Sequence, residues 1–159
     1  MLEVGVVPVG IETYANSRRL EKSFRLQGAD LETEYTAVEA AIQRPLVKEA
    51  DFHGKVAHLA QREEDPCAIL CTMTLDDLNV SGKTRYPVGI SPIIDPATGE
   101  VPIDSKGRRS YTTGMSYCPS LKKFVVMGYL PKEIAIQGKS LLIEYFNEDC
   151  DGLYPMTVQ

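Results

Sequence analysis

The stretch SRRLEKSFRLQGADL, residues 17–31, joins a densely charged helical pattern to a Gly-x-Asp turn. Apolar and aromatic residues over residues 11–24 recur at helical rather than alternating spacing, which predicts a helix there. Gly28 suits the turn that ends this helix, because glycine adopts positive φ without steric cost, and Asp30 then opens a polar segment. The charges either cover an ordinary solvated surface or hold the helix against the rest of the fold, and the pattern leaves both explanations open.

The sequence between this turn and Pro66 predicts one further helix. Residues 50–64, ADFHGKVAHLAQREE, offer Asp51 as the N-cap. Pro45 removes a backbone donor from the preceding run, so that run is expected to end in an extended segment. The predicted helix places four apolar residues on one side: Phe52, Val56, Leu59 and Ala60.

After Pro66 the pattern changes from helical to β. Six short runs rich in β-branched and aromatic residues alternate with Gly, Pro, Asn and Asp turns at intervals of roughly ten residues, which predicts a small all-β barrel or sandwich. The segment DPATGEV, residues 95–101, is a predicted loop between two strands. A domain boundary is therefore expected near residues 62–66. The runs are residues 67–75, 85–94, 109–118, 122–130, 140–146 and 153–159.

Composition excludes several classes of partner. The chain has 159 residues, of which 43 % are hydrophobic, so it has enough apolar surface for a folded core. With 22 acidic against 17 basic residues its net charge is −5, which argues against nucleic acid or an anionic membrane surface as a partner. No apolar run approaches the roughly 20 residues of a membrane span, and no signal peptide is evident. We expect a cytoplasmic protein, or a mitochondrial-matrix protein if it is eukaryotic.

The short motifs that suggest chemistry have simpler explanations. SGKT at residues 81–84 and QGKS at residues 137–140 end like a phosphate-binding loop, but Asp77 and Glu133 stand where that motif needs its first glycine, so hairpin turns are predicted. The four cysteines include no C-x-x-C pair, and only two histidines accompany them, so no metal site is expected. The paired acids Asp76-Asp77 and Glu148-Asp149 are adequately explained as solvated loop residues.

Several stretches recur together, in the same order, in a known family. GVVPVG at residues 5–10 and RRLEKSFRLQGADL at 18–31 correspond to a G-x-x-P-x-G entry, an L-R-L-E helix end and a glycine–acid turn. EYTAVEAAI at 34–42 and DFHGK at 51–55 correspond to T-P-x-E-A-G-L and D-F-x-G-(K/R). TTGMSYCPSLKKFVVMGYLPKEIAIQGKSLLIEY at 112–145 continues the likeness. The set resembles the C-terminal portion of the glycine cleavage T-protein (aminomethyltransferase) family, and the N-S-x-R-L-E-K form is most similar to its dimethylglycine and sarcosine dehydrogenase branch.

This resemblance implies both a fold and a function. The implied fold is α+β: the helical tail of a folate-binding domain, residues 1–65, followed by a small all-β C-terminal barrel, residues 66–159. The implied function is that of the C-terminal segment of a tetrahydrofolate-dependent aminomethyltransferase or demethylase, which passes a one-carbon unit from a methylamine or aminomethyl donor to tetrahydrofolate. The implied partners are the N-terminal folate-binding portion of the same protein and, in the dehydrogenase branch, a flavin dehydrogenase domain.

The resemblance also indicates which residues would contact folate. The family's folate-contacting arginine lies in G-A-R-D, whereas residues 12–17 are ETYANS, which places Tyr14 or Ala15 at that position. Tyr14 is therefore the first predicted cofactor-binding residue and Glu39 the second. Arg19 and Glu21 are implied to be ion-paired structural residues.

No catalytic residue is expected within the chain. The family's general acid/base aspartate lies upstream of these matches, so the chain is expected to be a fragment that binds tetrahydrofolate weakly or not at all when isolated. Two alternatives stay open. One is a non-catalytic barrel module that docks onto a dehydrogenase or a carrier protein, and the other is an unrelated β-barrel binding protein.

Overall fold

The β-rich runs after Pro66 form the strands of the protein. A computed structural model describes residues 2–75, 79–80, 83–84, 89–145 and 152–159. The second predicted run contributes only a two-residue strand, and its residues 85–88 lie outside the described part, as do the paired acids. The strands are β1 (Ala68–Leu75), β2 (Asn79–Val80), β3 (Lys83–Thr84), β4 (Ile93–Ile94), β5 (Thr112–Cys118), β6 (Lys123–Pro131), β7 (Ser140–Tyr145) and β8 (Gly152–Val158).

Six of these strands form one antiparallel sheet in the order β4-β7-β8-β1-β6-β5. The chain just before β4 also bonds to the start of β5, where the Ile90 amide donates to the Thr112 carbonyl at 2.7 Å. The Thr112 amide in turn donates to the Ser91 carbonyl at 2.9 Å. The two outer strands of the sheet therefore meet at this point, and the sheet curls into a half-barrel. The prediction of a β-sheet structure is confirmed, but the sheet is a half-barrel and not a complete barrel.

The two faces of the sheet bury different sets of residues, as the period of two along a strand requires. One face packs against itself inside the curl and includes Met73, Val126 and Ile143. The other face carries Met127 and Tyr129 and is covered by residues of the N-terminal third. The residues that cover it are Leu20, Ala40, Leu31 and Tyr35.

The helices are shorter than the sequence predicts. A six-residue π-helix, Thr13–Arg18, runs directly into a one-turn helix α1, Arg19–Glu21, and helix α2 spans Lys55–Glu63. A short 3-10 turn, Leu2–Val4, precedes them, and most other residues before 65 lie in turns and irregular segments. The predicted helical tail is therefore not confirmed as a helical domain.

The prediction that Asp51 caps the second helix is wrong. The N-cap is Gly54, at φ 82°, and no side chain caps the helix. None of the residues of α2 is buried, and Val56 on its predicted apolar side is 84 % exposed. The sequence pattern for a buried apolar stripe was present, but the described residues provide no surface that covers it.

The turn predictions are confirmed where they can be examined. Residues 83–84 of SGKT pair with Asn79 and Val80 as a hairpin, although residues 81–82 lie outside the described part. Gly138 of QGKS lies at φ 81° in the turn before β7. The Asp95 carboxylate accepts the Ala97 amide at 3.0 Å within DPATGEV, which closes that loop. QGKS leads into β7 and not into a helix, so this motif lacks the strand–loop–helix setting of a phosphate-binding loop.

Gly128 in β6 allows a close approach of neighbouring backbone. A Cβ atom at this position would lie 2.7 Å from the Tyr111 carbonyl oxygen and 2.9 Å from Ile93 Cδ1. Because the first contact is with backbone, the Gly128→Ala variant must move a strand, and we expect the free energy of unfolding to fall by about 1–3 kcal/mol. Urea denaturation measures this, with Gly10→Ala as the control because a Cβ there meets nothing within 4 Å. Equal stability of the two variants would contradict the prediction.

Candidate functional site

Asp30 is the centre of the contacts between the charged stretch and the sheet. Its side chain is fully buried, and Arg19 Nη1 lies 2.5 Å from its Oδ2. The Leu26 amide donates to the same oxygen at 2.8 Å, and the Thr113 hydroxyl donates to Oδ1. The Tyr129 hydroxyl donates to the Asp30 carbonyl at 2.7 Å. These partners bind the carboxyl oxygens or the backbone carbonyl of Asp30, so the residue joins the stretch to β5 and β6.

Arg19 distributes its donors over the same region. Nε donates to the Ala15 carbonyl at 2.6 Å, and Nη1 donates to the Phe24 carbonyl at 3.2 Å. The guanidinium fits against β5 because residue 114 is glycine: a Cβ there would lie 2.5 Å from Arg19 Nη2. The register of β5 against β6 shifts between Thr112 and Gly114, which is a β-bulge at this contact.

The structural role predicted for Arg19 and Glu21 is confirmed. Arg19 pairs with Asp30 rather than with Glu21, while Glu21 pairs with Arg18 at 2.8 Å and accepts the Ser120 amide at 2.9 Å. The hydrogen bond from the Ser120 amide is the largest effect on the pKa of Glu21 and lowers it, as does the pairing with Arg18. Burial acts in the opposite direction and raises this pKa. The charges of this helix therefore hold it against the rest of the fold. Of the two explanations that the sequence left open, an ordinary solvated surface is excluded.

An open groove lies on the outer side of this ion pair. Its volume is about 450 Å³, and it contains two strongly exposed rings, Tyr14 at 81 % and Phe24 at 66 % exposure. We call it the Tyr14 groove. It is lined by Tyr14, Ala15, Arg18, Arg19, Lys22, Phe24, Arg25 and Leu26.

The Tyr14 groove combines aromatic surface with positive charge. Four of its eight lining residues are Lys or Arg and none is an acid. Arg25 donates to the Ala40 carbonyl at 3.0 Å, and Arg18 bonds to Glu21 and to Ser120 at 2.8 and 2.9 Å, so both are fixed in place. Within the described part of the chain, Lys22 forms no ion pair. Such a lining suits a ligand with a flat ring and carboxylate groups.

Glu39, the second predicted contact residue, lies in a buried ion-pair cluster and not in the Tyr14 groove. Its Oε1 is 2.5 Å from Arg108 Nη2, and its Oε2 accepts the Thr36 amide at 2.9 Å. Arg108 also bonds to Asp104 at 2.7 Å. Burial by itself would raise the pKa of Glu39, but the hydrogen bonds from Arg108 and Thr36 and the charges of Arg108 and Lys106 lower it to about 2. Both carboxylate oxygens of Glu39 are thus occupied by partners within the protein.

Aromatic stacking extends this cluster to the sheet. The rings of Tyr35 and Tyr129 stack with centroids 3.5 Å apart, and the Arg108 guanidinium lies 4.3 Å from the Tyr35 centroid. Burial, the largest effect, raises the pKa of both tyrosines. The sequence did not indicate Arg108, Thr113 or Tyr129 as site residues. Their hydrogen-bond partners lie 69 to 99 positions away in the chain, and no local pattern reveals such a contact.

A second groove lies next to α2 and is mainly apolar. It measures about 410 Å³, and Lys48 Nζ lies over the Phe52 ring at 4.9 Å within it. Arg62 of α2 holds one wall by donating to the Arg44 and Pro45 carbonyls at 2.7 and 3.1 Å. Ile42 and Leu46 of this groove are two of the aliphatic residues before residue 60 that are more than 40 % exposed. That set comprises Val4, Val6, Val7, Val9, Ile11, Ile42, Leu46, Val56 and Leu59.

Across the residues the structure describes, no three His, Cys, Asp or Glu side chains cluster as a metal site would require. Nor does any helix within the described ranges have the length and apolar character to cross a membrane.

Comparison with known proteins finds aminomethyltransferases among the proteins that are similar to this chain. The chain is 29% identical over 152 residues to an aminomethyltransferase of Francisella philomiragia, and this match covers 91% of the chain. It is 29% identical over 150 residues, 92% of the chain, to an aminomethyltransferase of Koribacter versatilis. Its fold is similar to that of the glycine cleavage system aminomethyltransferase T of Bartonella henselae. This structural match covers 91% of the chain, with a TM-score of 0.68 and 21% sequence identity. The resemblance to the C-terminal portion of the glycine cleavage T-protein family is confirmed.

The matches concern only part of each of these relatives. The chain spans 38% of the length of the Francisella protein, 35% of that of the Koribacter protein and 36% of the Bartonella chain. No family model matches the chain. The similarity to the dehydrogenase branch of the family, and the division at residue 65, stay predictions.

Proposed function

We propose that the chain is the C-terminal part of a tetrahydrofolate-dependent aminomethyltransferase or demethylase, which transfers a one-carbon unit from a methylamine or aminomethyl donor to tetrahydrofolate. The aminomethyltransferase relatives support the reaction class. The observation that carries the proposal for this chain is the Tyr14 groove, where exposed rings and fixed cations lie side by side.

The residues of the Tyr14 groove fit one part of a folate molecule. Tyr14 and Phe24 offer aromatic faces for a flat ring, and Lys22 and Arg25 offer positive charge for the carboxylates of the glutamate tail. The pterin's amino-pyrimidinone edge requires a carboxylate, and no acidic residue lines the groove. Glu39 does not supply one, since both of its oxygens already have partners. We therefore propose Tyr14 as a folate contact and infer a structural role for Glu39.

In this proposal the chain's own residues bind, orient and exclude water. The rings on the groove would cover one side of the bound folate, and the half-barrel would brace the π-helix that carries Tyr14. Proton transfer to the donor nitrogen would come from groups outside this chain, because no titratable acid or base lines the groove apart from Tyr14 and the cations.

The remaining contacts would come from the rest of a longer polypeptide. Five valine and isoleucine residues between positions 4 and 11 are at least 51 % exposed, as are Leu46 at 86 % and Val56 at 84 %. The five residues between positions 4 and 11 lie close together in the chain, and exposed apolar surface that is grouped in this way is typical of an interaction site. We propose that an N-terminal folate-binding portion, of the kind that the length of the relatives allows, covers this surface and completes the groove.

Calorimetric titration tests the proposed share of the folate site. The isolated chain is expected to bind tetrahydrofolate with a Kd no tighter than about 1 mM, since the groove lacks the carboxylate and is open on one side. Joined to its folate-binding portion, the protein is expected to bind at micromolar Kd, and the Tyr14→Ala variant to weaken that binding about tenfold through lost stacking. Arg44→Ala in the apolar groove beside α2 serves as the control. Micromolar binding by the isolated chain, or no effect of Tyr14→Ala, would contradict the proposal.

The same exposed apolar surface favours a second candidate, a non-catalytic module that docks onto a dehydrogenase or a carrier protein. The two candidates differ in the titration. A docking module would bind its protein partner with the Tyr14→Ala and wild-type chains alike, and the assembly would not bind tetrahydrofolate.

A further inference from the structure

One ion pair, Arg19–Asp30, ties both walls of the Tyr14 groove together, and the π-helix also contacts β5 through the Ser17 and Ser116 hydroxyls at 3.0 Å. On one side the Ala15 carbonyl accepts Arg19 Nε at 2.6 Å, which holds the π-helix. On the other side the Phe24 carbonyl accepts Arg19 Nη1 at 3.2 Å, and the Leu26 amide donates to the Asp30 carboxylate at 2.8 Å. Three of the eight lining residues are thus tied by their backbone to the Arg19–Asp30 pair.

The position of this pair is in turn set by the sheet. Thr113 donates to Asp30 Oδ1 from the bulge in β5, and Gly114 leaves room for the guanidinium. Tyr129 of β6 donates to the Asp30 carbonyl at 2.7 Å. The register of β5 against β6 shifts at Thr113, whose hydroxyl bonds to Asp30, so the bulge lies where the sheet contacts the pair.

We infer that Arg19 and Asp30 are positioning residues: they set the separation of the two walls of the Tyr14 groove and transmit the geometry of the half-barrel to it. This inference rests on the proposed function where it concerns folate, but the positioning itself is independent of any ligand. Neither side chain needs to touch the ligand for this role. A change in the pair is expected to alter the fit of the ligand and leave the chemical step unchanged.

The Arg19→Lys variant separates positioning from charge. Lysine keeps the positive charge near Asp30, but a single ammonium group cannot reproduce the planar fork that reaches the Ala15 and Phe24 carbonyls and the carboxylate together. The matched control is Arg108→Lys, which weakens the other buried arginine–carboxylate cluster. Arg108 is not among the residues that line the Tyr14 groove.

Two measurements decide the inference. In the isolated chain, hydrogen exchange of the Phe24 and Leu26 amides is expected to become at least about tenfold faster in Arg19→Lys than in Arg108→Lys, with the β1 and β6 amides exchanging alike in both. In the protein joined to its folate-binding portion, Arg19→Lys is expected to raise KM for tetrahydrofolate about tenfold with kcat unchanged, whereas Arg108→Lys leaves KM unchanged.

The outcomes separate the inference from the proposed function. If both variants change exchange throughout the chain to the same extent, the pair is merely structural and the inference is overturned. If the exchange difference at residues 24–26 is found but wild-type protein does not bind tetrahydrofolate, the folate proposal fails and the positioning role stands. If the exchange difference is found, folate binds and KM is the same in both variants, the pair does not govern ligand fit and the inference is overturned.

Discussion

Asp30→Ala is expected to lower the free energy of unfolding by about 3–5 kcal/mol, because it leaves the Arg19 guanidinium buried without its counter-charge. The loss extends beyond the ion pair. The Leu26 amide and the Thr113 hydroxyl also lose the acceptor that the carboxylate provides. With typical stabilities of about 5–15 kcal/mol, this change removes a large part of what holds the protein folded.

Urea denaturation followed by circular dichroism measures this effect, and two variants make it interpretable. Lys132→Ala removes an exposed ion pair with Asp65, whose carboxylate is 85 % exposed, and is expected to cost less than about 1 kcal/mol. Replacing both partners, as Arg19→Met with Asp30→Leu, is expected to recover part of the loss because no charge is then left unpaired. A decrease below 1 kcal/mol for Asp30→Ala would show that the pair does not join the stretch to the sheet.

The sequence predicted the sheet well because strand formation depends on local pattern. Alternating and β-branched residues identify the long strands β1 and β6 within one residue of their observed ends. The turn at Gly138 was equally predictable, since this glycine lies at positive φ. Such features require no knowledge of distant residues. Gly28 also lies at positive φ, but the prediction that it ends the first helix is wrong, because the helix ends at Glu21 and Lys22 is its C-cap.

The site was predictable only in part, because it depends on contacts between distant residues. The charged stretch indicated that Arg19 needed a partner, but Asp30 was identified only as the start of a polar segment. Thr113 joins that pair across 83 positions, and no local pattern indicates this. Glu39 resembled a contact residue by position, yet its partner Arg108 lies 69 positions away and occupies it. The two predicted helices are present in shorter form, but the apolar side of α2 has no covering surface in the described part of the chain.

Replacing Arg108 by alanine should produce a loss of stability that depends strongly on pH. At pH 7 the variant leaves the carboxylates of Glu39 and Asp104, each 2 % exposed, without their guanidinium partner, and we expect a loss of about 3–5 kcal/mol. In the wild-type protein the pKa of Glu39 is about 2, below its ordinary value of 4.5. The stabilisation linked to Glu39 is therefore complete above pH 4.5 and is lost as the pH falls toward 2.

The Arg108→Ala variant is expected to lose much of this dependence for the same carboxylate. Without the guanidinium, burial, which raises the pKa of Glu39, is opposed only by the Thr36 amide and the Lys106 charge, so the folded variant takes up a proton at higher pH than the folded wild type does. The variant consequently gains stability, relative to wild type, as the pH is lowered from 7 to 3. Urea titrations at pH 7, 5 and 3 are expected to show the difference between the two proteins shrinking at each step, whereas Lys132→Ala stays close to wild type throughout. A difference that is the same at all three pH values would mean that Arg108 stabilises the protein through packing on Tyr35 and not through the Glu39 carboxylate.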